Sequence, residues 1–170
     1  MTTARASKAR LAHGRNLLGA VRIHLGQLRN ELSRQNVLRQ LGDDPTAAIR
    51  SPHDAIHIAH TLLDPLARHD TNTAVWASIA IRPLAELLYA ASTQHGAGSG
   101  IDWAWHALVN AEAPTTVPGW RQAAEIWDQA AGAALPGQLC SIAELPPRQR
   151  NSVIHTMHAA IAPWLPRTRR

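Results

Sequence analysis

The stretch from Thr73 to Gln94, TAVWASIAIRPLAELLYAASTQ, limits what this chain can fold into more than any other. Its apolar residues Val75, Trp76, Ile79, Ile81, Leu84, Leu87, Leu88 and Tyr89 cover most of the circumference of a 3.6-residue helix. Only a helix surrounded by other helices accommodates that pattern. Asn72 or Thr73 can cap its start and Gly96 its end. About twenty apolar residues would reach across a bilayer, but Arg82 and Glu86 fall in the middle, where each charge costs a few kcal/mol in hydrocarbon. The stretch therefore reads as a core helix rather than a membrane span. Pro83 removes one backbone bond to the preceding turn, so a kink is expected near Ile79 to Arg82.

No strand-like alternation longer than a few residues occurs elsewhere, and the expected fold is all-α. We expect a single bundle of five to six helices around the central helix 73–94, preceded by a long heptad-patterned N-terminal helix. The chain divides in this reading into a basic heptad helix over 1–45, a helical domain over 51–166 and a basic tail over 167–170. A length of 170 residues with 45% hydrophobic content suits one domain with a real core. No apolar run follows the charged N-terminus MTTARASKAR, so no signal peptide is expected. Cys140 has no second cysteine to pair with and reads as buried packing; together these point to a cytoplasmic protein.

Written in sevens from Leu11, the first segment places Leu11, Leu18, Leu25 and Leu32 in one column. Ala12, Gly19, Gly26 and Ser33 fill the next column, and Arg15, Arg22 and Arg29 form a basic third. A sustained seven-residue repeat keeps one seam against a partner helix, and small neighbours let that partner approach closely. The partner is either this chain's own bundle or a second copy. The basic column is either a solvated face or a nucleic-acid contact.

Downstream, Ser51 caps a helix with Pro52 at its first position and Asp54 at its third. His53, His57 and His60 share one face of it, which suits either zinc or a partly exposed polar stripe. With no HExxH and no nearby cysteine the stripe is favoured, and neither a metal nor a cofactor is assigned. Ser99 caps IDWAWHALVN, in which Trp103 and Trp105 cannot both face the core. Trp120, Ala123, Ala124, Trp127 and Ala131 make one apolar face of a further helix that Leu135-Pro136-Gly137 ends. CSIAEL reads as a connecting turn, and Pro146-Pro147 opens the last helix. Arg148 and Arg150 stand at its positive dipole end, where free N–H groups and guanidinium groups together favour a phosphate or carboxylate.

The charges are segregated. The first fifty residues carry a net +6, residues 51–140 a net −5 and the remainder a net +4. Basic ends around an acidic middle suit a polyanionic partner. No phosphate-binding GxxxxGK[ST] loop, GxGxxG turn, GxSxG elbow or evident carboxylate pair occurs, so no enzymatic activity is expected.

The order of segments PHDAIHIAHTLLD, VWASIAIRPLAELLYAAS, IDWAWHALVN, the Trp120/Trp127 helix and LPPRQRNSVIHTMHAAIAPWL resembles the all-α domain of type IV coupling proteins, the conjugative DNA-transfer ATPases. The matching positions are Trp76 with Leu87-Leu88-Tyr89-Ala90-Ala91, then Arg148, Arg150, Ser152 and Val153, and finally Ala162-Pro163-Trp164. The resemblance covers about two thirds of the chain and excludes the nucleotide-binding domain, so ATP hydrolysis does not carry over. It implies a recognition module for DNA or a relaxosome-type complex, either freestanding or excised from a larger ATPase. The residues expected to touch nucleic acid are Arg15, Arg22, Arg29, Arg148 and Arg150. The competing expectation is a protein adaptor that docks through the Leu11, Leu18, Leu25 and Leu32 seam onto itself or onto a separate coupling ATPase.

Overall fold

The computed structural model describes residues 41–68, 71–92, 99–111 and 118–165. These belong to one compact unit, Leu41–Arg170. The seam leucines Leu11, Leu18, Leu25 and Leu32 and the basic column Arg15, Arg22 and Arg29 lie outside the described residues.

Six α-helices form the body, with no strand among the described residues: α1 Pro52–Ala67, α2 Thr71–Ala91, α3 Gly100–Val109, α4 Trp120–Ala131, α5 Leu139–Ala143 and α6 Pro147–Ile161. Single 3₁₀ turns at Pro45–Ala48, Gly132–Ala134 and Ala162–Trp164 precede or extend them. The all-α bundle expected from the sequence is what the chain adopts, with α2 at its centre packed against α1, α3, α4 and α6. From Pro83 to Ala91 every α2 side chain is buried, including Glu86. Pro83 lies within the helix, where it withholds one N–H from the ladder. By length and composition α2 would cross a membrane, yet most of it is covered by its neighbours. Burial is uneven along it: Val75, counted with the core in the sequence pattern, is 50% exposed, whereas Ala77 and Ala80 are buried, so the first half of α2 is covered on one side only.

The remaining helices start much as their caps dictate. The Ser51 hydroxyl accepts from the Asp54 N–H at 3.2 Å, and the Asp54 carboxylate accepts from the Arg50 N–H at 3.1 Å, so each carboxyl or hydroxyl closes an otherwise open turn. Helix α3 departs from expectation. Ser99 occupies its N-cap position without a capping side-chain bond; the cap is supplied by Asp44, whose Oδ2 accepts from the Ile101 N–H at 3.1 Å. The other oxygen of Asp44 accepts from both the N–H and the hydroxyl of Thr46 at 2.8 Å. Gly100, with φ of +67°, lets the carboxylate in: a Cβ there would collide with Asp44. The segment 41–49 is thus part of the helical body, with Leu41, Thr46 and Ile49 buried.

Two further differences have local causes. Helix α4 ends at Gly132, whose φ of +55° takes the chain out of the helix, ahead of Leu135-Pro136-Gly137. The segment read as a turn is the short helix α5, too brief for its periodicity to register, and Cys140 on it is exposed rather than buried. Because Asp44 serves two helical starts, replacing it by Ala should lower stability by about 2 kcal/mol, measured by urea unfolding. A loss below a few tenths of that would mean solvent caps α3 equally well.

Candidate nucleic-acid interface

Helix α6 begins with Pro146 at the N-cap and Pro147 at the first position, so no side chain caps it. The first ladder bond inside it runs from the Arg150 N–H to the Pro146 carbonyl at 3.0 Å. The N–H groups of Arg148 and Gln149 therefore lack an intrahelical acceptor, at the end where the dipole is positive. Two arginines sit here but differ in use. Arg150 is half-buried and its Nη1 donates to the Ala143 carbonyl at 2.9 Å, tying α6 to the end of α5. Arg148 is exposed. Of the two arginines expected to face a ligand, Arg148 carries its charge to solvent, while Arg150 spends part of its hydrogen-bonding capacity on the fold.

Beside this end lies a cavity of about 470 Å³ between the first turns of α2 and one face of α6. Asn72, Thr73 and Trp76 form one wall, Ser152, His155, Thr156 and Ala159 the other, and Leu66 closes the edge. The sequence pattern places Trp76 in the core; instead it is half-buried on this wall, since this part of α2 buries mainly the side that carries Ala77 and Ala80. The Ser152 hydroxyl donates to the Arg148 carbonyl at 3.0 Å and the Thr156 hydroxyl to the Ser152 carbonyl at 2.8 Å, so both are turned back onto their own helix. Further along α6, the His158 ring lies 3.6 Å from the Trp105 ring at 47°. Burial pushes the His158 pKa down, and the neighbouring His155 lowers it further. Trp103 is buried, so the two tryptophans of α3 divide between core and α6 as their spacing requires.

A second cavity, of about 640 Å³, is lined by Asp43, Asp44, Asp102 and Trp164 among others. It has the wrong sign for a polyanion. His53, His57 and His60 are exposed on α1, and no group of three potential metal ligands comes together among the described residues.

The most constrained polar cluster lies inside the body. Glu86 is fully buried on α2, and its carboxylate accepts from the N–H of Gln138 at 2.5 Å and of Leu139 at 3.2 Å. It therefore caps α5 from 52 residues away. One turn earlier, Arg82 donates to the Pro136 carbonyl at 3.0 Å and lies 5.6 Å from the Trp127 ring centroid. Trp127 in turn donates through Nε1 to the Leu135 carbonyl at 2.7 Å and meets the edge of Tyr89 at 5.8 Å. Gly137 permits this closeness, since a Cβ would stand 3.2 Å from the Glu86 carboxylate and 3.3 Å from that of Asp128. The cluster is structural: the side chains of Glu86, Arg82 and Trp127 all bond to the backbone of the 135–139 segment.

Comparison of the chain with protein-family models, with curated proteins and with solved structures finds no match.

Burial pushes the Glu86 pKa up to about 7, against the lowering effect of its two N–H donors and of Arg82. Its folded-state pKa lies above its value of 4.5 in an open chain, so folding takes up a proton between those values. Stability from this group is complete below about pH 4.5 and is lost as pH rises through 7, a change of about 3 kcal/mol. Denaturation of the wild-type chain and of Glu86→Gln between pH 5 and 8 should differ in slope by that order. Parallel curves would mean that Glu86 stays ionised throughout.

Proposed function

We propose that this chain is a non-enzymatic recognition module associated with conjugative DNA transfer, binding DNA or a relaxosome-type protein–DNA complex. The observation that carries the proposal is the start of α6, where the exposed Arg148 guanidinium stands beside N–H groups without an intrahelical acceptor. A cation at this end of a helix opposes the dipole and costs stability, whereas with an anion bound the cation and the dipole act together. The segregation of charge along the sequence supports the same ligand: the two basic ends include Arg15, Arg22 and Arg29 at one extreme and Arg148 and Arg150 at the other. The ordered resemblance to the all-α domain of coupling proteins narrows the polyanion to transferred DNA or the complex that carries it. A coupling ATPase is the natural further partner.

Counterion release gives this proposal a quantitative signature. DNA affinity should fall steeply between low and physiological salt, and Arg148→Ala should reduce the slope of log K against log salt by about one unit while leaving thermal stability equal or slightly raised. Arg150→Ala should weaken binding less per charge lost and also destabilise, since it releases the Ala143 carbonyl. Affinity that ignores salt, or that is identical in Arg148→Ala, would rule out this interface.

The adaptor reading rests on the heptad columns of the first forty residues. It predicts that the full chain sediments as a dimer or larger and that a chain starting at Leu41 sediments as a monomer. Equal monomeric masses would dismiss self-association through that seam.

A further inference from the structure

The cavity beside α6 has a composition that a structural gap does not need. Trp76 and His155 offer π faces, and the Asn72 amide offers both donors and an acceptor. Ser152 and Thr156 already direct their hydroxyls to their own helix, so the longer polar side chains on the walls are Asn72 and His155, beside the short Thr73. A flat ring with a polar edge is the ligand that such walls fit, because stacking uses the rings and hydrogen bonding uses the amide.

The position of Arg148 supplies the second half of the match. Ser152, His155 and Ala159 follow it by four, seven and eleven residues, which places all four on one face of α6. At 1.5 Å per residue, Arg148 stands about 6 Å along the axis from Ser152, the lining residue nearest the start of α6. An aromatic recess with an exposed guanidinium in line with it, at the positive end of a helix, presents a base site and a phosphate site in sequence.

We propose that this groove seats an unpaired base of single-stranded DNA, stacked on Trp76 and bordered by Asn72 and His155, with an adjoining backbone phosphate on Arg148. A base inside a duplex has both faces stacked and its pairing edge occupied, so a concave aromatic recess accepts it only when it is unpaired. The inference rests on the DNA-recognition reading above and adds strandedness to it. Two polar side chains read too little of a base to impose a strong sequence preference, so pyrimidine tracts are suitable ligands.

The test is fluorescence anisotropy with a labelled oligothymidylate and a labelled duplex of equal length, using the full chain at low salt. Trp76→Ala should weaken binding of the oligothymidylate about tenfold while duplex binding stays within about twofold, and Trp76→Phe should recover most of the loss. His155 is exposed, so His155→Ala leaves the fold intact and should weaken the oligothymidylate alone by a few-fold, which covers the case in which Trp76→Ala unfolds. If Trp76→Phe and His155→Ala both match the wild type and Trp76→Ala loses both ligands equally or neither, the base site is wrong while a salt-dependent Arg148 contact survives. If the wild-type chain binds neither ligand, the recognition reading fails and this one falls with it.

Discussion

A carboxylate with no exposure to water decides how this molecule closes. Glu86 sits on the helix that every other large element packs against, and an ionised carboxylate there would be costly unless hydrogen-bonded. The chain meets that cost with two backbone N–H groups at the start of α5, which themselves need an acceptor. Each side satisfies the other. The consequence is that the 135–139 segment has one position on α2, fixed further by Arg82 on the Pro136 carbonyl and Trp127 on the Leu135 carbonyl.

The same device appears a second time in the body. Asp44 caps α3 across 57 residues and its own 3₁₀ turn across two. Two helix starts in this protein, those of α3 and α5, are closed by carboxylates from distant positions. The start of α6 is different: two prolines precede it, no side chain reaches it, and a guanidinium points outward beside it. The start of α4 also lacks a capping side chain and carries the exposed Arg121 at its second position, so what sets α6 apart is the cavity along its face.

Much of the scaffold was legible in the sequence, since Ser51-Pro52, the dense apolar run of α2 and Pro146-Pro147 each state their role within a few residues. The Trp120/Trp127 face and the division between Trp103 and Trp105 also follow from helical spacing alone. The remote caps were not legible, because nothing near Asp44 or Glu86 announces an N–H more than fifty residues away. Helix α5 escaped because five residues carry no periodicity, and with it went the exposure of Cys140. The pattern places Trp76 and Val75 inward, but the first half of α2 is covered on one side only, so apolar residues on its other side stay partly exposed. Which side of a helix its neighbours cover is a property of packing that periodicity alone does not measure.

The long reach of the two capping carboxylates also orders events in time. A chain synthesised from its N-terminus exposes Asp44 well before Ile101 exists, and Glu86 well before Gln138. Closing loops of that size costs roughly 3 to 4 kcal/mol of chain entropy before the contacts formed repay it. The two capping contacts therefore form only once Ile101 and Gln138 have been made, so the closure they provide comes late in the chain. A nascent chain that ends before α5 holds Glu86 without either of its N–H donors.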